Sequence, residues 1–121
     1  SARITSTQAL RGYQLHTCVN VTPNTRYEVG TDFMIPSGQD SAGLMTFGVY
    51  EITVPDCTTT AYVARYEEPP TRSPVDTWTS INRTYTTGSQ AKSLIVVIGT
   101  GGARTPPFRT FFDNVYVREK R

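Results

Sequence analysis

Arg26-Tyr27-Glu28-Val29-Gly30-Thr31-Asp32-Phe33-Met34-Ile35 alternates along its whole length. Tyr27, Val29, Thr31 and Phe33 fall on one side of an extended chain, and Glu28, Gly30, Asp32 and Met34 on the other. A period of two with one apolar side is a strand with one dry and one wet face. The pattern repeats in Leu44 to Thr53, where Met45, Phe47 and Val49 oppose Thr46, Gly48 and Tyr50. Leu94-Ile95-Val96-Val97-Ile98 is apolar on both sides, which predicts a central strand covered on both faces. Shorter β-branched and aromatic runs extend the series: Ala2 to Ser6, Tyr13 to Val21, Ala61 to Glu67, Trp78 to Thr86, Ser93 to Thr100 and Thr110 to Arg118. Between them lie turn-forming residues, as in Thr22-Pro23-Asn24-Thr25, Pro36 to Ser41, Glu68 to Asp76 and Gly99 to Pro107. Helical spacing is absent. Strands at this spacing make an all-β fold, an antiparallel β-sandwich of the jelly-roll type.

The chain has 121 residues, the size of one domain, so 1–121 is read as a single β-sandwich domain. It has neither a starting Met nor a secretory leader pattern, so a processed or excised piece of a larger protein is expected. No apolar run approaches the ~20 residues that cross a bilayer as a helix, and no membrane partner is expected. Net charge is +2, and the one basic cluster, Arg118, Lys120 and Arg121, is interrupted by Glu119. Nucleic acid, which needs a clustered basic face, is not expected as a partner. Cys18 and Cys57 lack the CxxC spacing of zinc and redox sites. A single disulfide is expected between them, the other reading being two separate buried thiols. Asn20-Val21-Thr22 and Asn82-Arg83-Thr84 are N-glycosylation triplets. Together these favour a secreted or extracellular protein.

Catalytic residue sets are poor. His16 is the only histidine and sits in a strand beside Gln14 and Cys18, away from any nucleophile in a turn. A carboxylate pair would have to come from Asp32, Glu51, Glu67 and Glu68, and acidic residues on wet strand faces are ordinarily solvating groups. No enzyme is expected, and no zinc set is present. Sugar binding needs an exposed aromatic face for the apolar side of a pyranose, flanked by groups that bond hydroxyls. Tyr50, Tyr62 and Tyr66 are read as that stripe, with Glu28, Asp32, Arg65 and Gln14 as polar companions; cross-strand aromatic packing is the other reading. Ala61 and Val63 are read as the inward residues of the strand that carries Tyr62 and Tyr66.

Three stretches carry a family resemblance. Cys18-Val19-Asn20-Val21-Thr22-Pro23-Asn24-Thr25-Arg26-Tyr27 is a strand, a Pro-containing turn and a Tyr-led strand. Trp78-Thr79-Ser80-Ile81-Asn82-Arg83-Thr84-Tyr85-Thr86 is a Trp-led strand, and Phe111-Phe112-Asp113-Asn114-Val115-Tyr116-Val117 is an aromatic-Asp-Asn-Val ending. In this order they resemble the carbohydrate-binding modules of families four and nine, galactose-binding-like jelly rolls usually attached to glycoside hydrolases. The resemblance implies a non-catalytic module that binds a plant or microbial polysaccharide or oligosaccharide through one sheet face. It further implies a structural calcium held in part by Asp113, and a core role for Trp78. Tyr27, Tyr85, Phe111 and Tyr116 are expected in the core or in strand packing. The family's opening strand, with its Asn/Gly-Phe-Glu segment, is not evident here, so an open sheet edge able to associate with another chain is expected. The alternative function is a structural or adhesive sandwich domain that mediates protein contact or assembly.

Overall fold

The computed structural model describes residues 2–6, 15–59, 61–104 and 107–120. Within them lie β1 (Ala2–Ser6), β2 (Leu15–Asn20), β3 (Arg26–Met34), β4 (Leu44–Ile52), β5 (Ala64–Glu67), β6 (Thr79–Thr86), β7 (Ser93–Gly101) and β8 (Phe108–Glu119). A 3-10 turn at Pro55–Cys57 is the single helical element among the described residues. The expected strands are all present, with shifted ends. β5 begins at Ala64, three residues later than its sequence pattern suggests, and β6 begins just after Trp78. Gln14, and Tyr13 at the head of the second expected strand, lie outside the described residues.

The strands form two four-stranded sheets, in the order β1-β8-β3-β6 in the first and β2-β7-β4-β5 in the second. Every pairing is antiparallel. Only the β4–β5 connection stays within a sheet; each other strand is followed by one in the opposite sheet. That repeated crossing is the jelly-roll form of the β-sandwich.

The inward residues interlock between the sheets. Tyr27, Val29 and Phe33 of β3, Ile81 of β6, and Phe108 and Phe112 of β8 meet Met45, Phe47 and Val49 of β4 and Leu94, Val96 and Ile98 of β7. Each such side chain contributes about 1.5–3 kcal/mol on burial. The polar atoms in this interior are satisfied: the Thr100 and Thr110 hydroxyls bond each other at 2.7 Å, and Thr31 Oγ1 donates to the Asp113 carbonyl at 3.0 Å. β7 is buried from end to end, as expected of a strand between β2 and β4. Its outward Ile95 and Val97 are covered with Ile52, Tyr50, Val54 and Cys57 in a smaller apolar cluster.

Two irregularities shape the surface. In β8, Asp113 pairs with Asp32 and Tyr116 with Gly30, so Asn114 and Val115 together oppose Thr31 in a bulge. Asn114 takes the left-handed conformation there, at φ 51°, which asparagine tolerates well. In the second sheet, Cys18 of β2 is disulfide-bonded to Cys57 of the 3-10 turn. Closing a loop of this size constrains the unfolded chain by about 3–4 kcal/mol in the chain-entropy account. Beside the bridge, Asn20 Nδ2 donates to Asp56 Oδ1 and Asp56 N donates to Asn20 Oδ1, both at 2.7 Å. Among the described residues β1 pairs with β8 from Phe108 to Phe112, while Asp113 to Glu119 are paired on the β3 side alone.

Candidate functional site

The residues expected on one aromatic face are distributed by the fold over three places. Tyr50, on the wet side of β4, pairs with Arg65 of β5, so both project from the outer face of the second sheet. Tyr62 lies just before β5 and joins them. Its ring centroid is 4.8 Å from that of Tyr50 at an interplanar angle of 42°, and it remains 43% exposed. Arg65 Nη1 donates to the Tyr62 hydroxyl at 2.9 Å, with the guanidinium 5.5 Å from the ring centre. Glu67 completes the group: the Tyr50 hydroxyl donates to its Oε1 at 3.0 Å, and Arg65 Nη1 stands 3.5 Å from the same oxygen. The result is a tilted tyrosine pair in which Tyr50 packs on the Ile52, Ile95 and Val97 cluster, framed by one cation and one anion. Opposite Glu67 the outer face is kept low by Gly48.

Tyr66 does not belong to this face. It pairs with Val49, an inward residue, and therefore points into the open side of the sandwich between β5 and β6. There its hydroxyl donates to Glu68 Oε2, and Arg83 of β6 grips both oxygens of the same carboxylate. Burial, then the hydrogen bond to Glu68, pushes the Tyr66 phenol above its ordinary range. The alternation that placed Tyr62 and Tyr66 together fails because β5 is too short to include both. For the same reason Ala61 and Val63 are exposed rather than inward.

Glu28 and Asp32 project from the outer face of the first sheet, on the opposite side of the molecule from Tyr50. Asp32 accepts from Ser80 Oγ at 2.6 Å and Asn114 Nδ2 at 2.8 Å, which hold its carboxyl below the usual range against the opposing effect of burial. Glu28 accepts from Arg118 Nε at 2.7 Å and is lowered chiefly by that bond. Between them lies Tyr116, which sequence reasoning assigned to packing. Its hydroxyl crosses Gly30 and accepts from Asn82 Nδ2 at 2.5 Å, while the Arg118 guanidinium sits 4.6 Å from its ring centre. Outward Glu28, a glycine and Asp32 at alternate positions of β3 were the available signal for that gap. Trp78 is also corrected: it is 50% exposed rather than a core residue.

Asp113 Oδ1 accepts from the Asn114 amide at 2.9 Å and so caps the bulge. Among the described residues no three His, Cys, Asp or Glu side chains converge. The four carboxylates considered for hydrolysis are also apart: Asp32 on one outer face, Glu67 on the other, Glu68 at the side, and Glu51 in the interior, where it accepts from the Tyr85 hydroxyl.

Fold and surface together define an antiparallel jelly-roll β-sandwich with an aromatic pair on one outer face and a polar network on the other. No family model matches the chain. No curated protein matches it either. Among solved structures it is similar to the VP2 subviral particle of infectious bursal disease virus, at a TM-score of 0.51 and 14% identity, covering 92% of this chain. The chain spans 30% of that protein's length, and at this identity the likeness carries the fold alone.

Proposed function

We propose that this domain is a secreted, non-catalytic carbohydrate-binding module that recognises a β-linked plant or microbial polysaccharide through the outer face of its second sheet. The observation that carries the reading is the Tyr50–Tyr62 pair, held outside the core and bordered by Arg65 and Glu67. An exposed ring stacks on the C–H face of a pyranose, and neighbouring charged groups bond its hydroxyls. The placement of the carboxylates on different faces favours binding without cleavage, since glycosidases need two facing one bond at about 5–9.5 Å. The disulfide supports an oxidising compartment.

The contact area is small and wet, so affinity is expected on the order of micromolar to millimolar. Affinity electrophoresis through gels containing soluble β-glucan or xylan tests it. Tyr62→Ala is expected to abolish most of the retardation with an unchanged melting temperature, because this ring is exposed. Equal migration of parent and Tyr62→Ala in every retarding gel refutes the assigned face.

A second reading, a sandwich that assembles with other chains, is favoured by the likeness to a protein from a subviral particle and by the β8 stretch from Asn114 to Glu119, which among the described residues is paired on the β3 side alone. Sedimentation velocity over a wide concentration range separates the two, since a binding module of this kind stays monomeric without its ligand.

A further inference from the structure

We propose that Asn82 is an N-glycosylation site and that its glycan covers the outer face of the first sheet, leaving the Tyr50–Tyr62 face free. Alternation along β6 turns Asn82 and Thr84 outward, both exposed, while Arg83 between them turns inward to Glu68. β6 is an edge strand, paired with β3 alone, so nothing in the first sheet crowds the far side of the triplet. The amide of Asn82 donates to the Tyr116 hydroxyl and also bonds the Glu28 carboxylate, and substitution at Nδ2 gives up one of these exposed bonds while leaving one amide hydrogen. The disulfide supplies the independent indication of a compartment where such transfer takes place.

In the transfer, Nδ2 forms a bond to the anomeric carbon of an oligosaccharide carried on a lipid diphosphate. The anomeric carbon–oxygen bond to the diphosphate breaks, the lipid diphosphate departs, and Nδ2 loses one proton. The remaining amide hydrogen keeps one bond to the sheet face, to Tyr116 or to Glu28. The surface across which the glycan then extends has groups suited to sugar contact: the Tyr116 ring, the carboxylates of Glu28 and Asp32, the Asn114 amide and Arg118. The other triplet is less suited. Asn20 has both its amide atoms engaged by Asp56 beside the disulfide, and Pro23 directly follows Thr22 and restricts its backbone to extended conformations.

The test uses the whole chain secreted from a eukaryotic host, with intact mass and peptide mapping before and after amidase deglycosylation. The parent and Asn20→Gln are expected to carry a glycan on the Asn82 peptide, and Asn82→Gln and Thr84→Ala to lose it. Hydroxyl-radical labelling of Tyr116 is expected to rise several-fold on deglycosylation, with labelling of Tyr62 unchanged. An unmodified Asn82 in the secreted parent overturns the site, and equal labelling of Tyr116 with and without the glycan overturns the shielding. Neither readout depends on polysaccharide binding, so failure here is distinct from failure of the proposed function.

Discussion

Arg83 of β6 and Glu68, just beyond β5, join the two sheets across the open side of the sandwich: Nε and Nη2 of the guanidinium reach the two carboxylate oxygens at 2.9 and 2.5 Å. These strands are the far edges of their sheets, and no backbone hydrogen bond connects them. Glu68 is 9% exposed at its side chain and Arg83 45%, so the pair is partly shielded and two-pronged. Arg83→Ala would strand a largely buried carboxylate, with an expected loss of about 1–3 kcal/mol. Urea unfolding at neutral pH measures it. A midpoint equal to that of the parent would show that solvent replaces the guanidinium at no cost.

The same carboxylate sets an acid dependence. Burial raises the Glu68 pKa, but the bonds from Arg83 and Tyr66 and the charge of Arg83 outweigh it and leave the group below its ordinary value. Asp32 is lowered by Ser80 and Asn114, and Asp76 by Ser37. A group with a depressed folded pKa contributes stability that is complete above its unfolded value, about 4, and is lost as pH falls through the folded value. The melting temperature is therefore expected to drop between about pH 5 and pH 2. Glu68→Gln should flatten part of that slope; an unchanged slope would assign the acid loss to other carboxylates.

The strands were legible in the sequence because each has an inner face that water must not reach. Tyr27-Val29-Thr31-Phe33 and Met45-Phe47-Val49 announce that requirement by period, and Leu94 to Ile98 announces a second covered face. Facing is less legible where a strand is short. Tyr62 and Tyr66 share a parity that matters only if one strand holds both, and the chain turns between them before β5 begins at Ala64. Nor can periodicity tell which sheet a wet face belongs to. Tyr50 and Asp32 are both outward, on opposite sides of the molecule, because β3 and β4 lie in different sheets. The β8 bulge hides Tyr116 in the same way, since one extra residue reverses the parity of everything after it.

Gly30 is a position where close approach excludes a side chain. A Cβ there would stand 2.1 Å from the Ile81 carbonyl oxygen and 2.5 Å from the Tyr116 hydroxyl. Gly30→Ala is expected to cost about 1–3 kcal/mol by overpacking. Because the nearer obstacle is backbone, removing the phenol should not rescue it. A Gly30→Ala/Tyr116→Ala double variant is expected to be no more stable than Gly30→Ala alone, by denaturant midpoint. Recovery to the parent's stability would place the conflict in the tyrosine ring and imply a movable strand pair.

At the alkaline end, the interior pair Tyr85 and Glu51 dominates. The Tyr85 hydroxyl donates to Glu51 Oε1 at 3.0 Å, and the Gly88 amide donates to the same oxygen at 3.0 Å. Burial first, and then the bond to Glu51 and its charge, push the Tyr85 phenol well above the ordinary tyrosine range. Its folded pKa is thus raised above its unfolded one, near 10, so the stability it contributes is complete below that value and is lost as pH rises through the folded value. Tyr85→Phe removes both the hydrogen bond and this linkage. At neutral pH the variant is expected to be less stable by about 1–2 kcal/mol, with the Gly88 amide left to satisfy the carboxyl group of Glu51, a residue 4% exposed. Between about pH 9 and pH 11 the parent should then lose stability faster than the variant, narrowing the gap between their urea midpoints. A gap that stays constant over that range would mean that Tyr85 ionises as readily in the folded chain as in the unfolded one, and that Glu51 is held by its backbone partner alone.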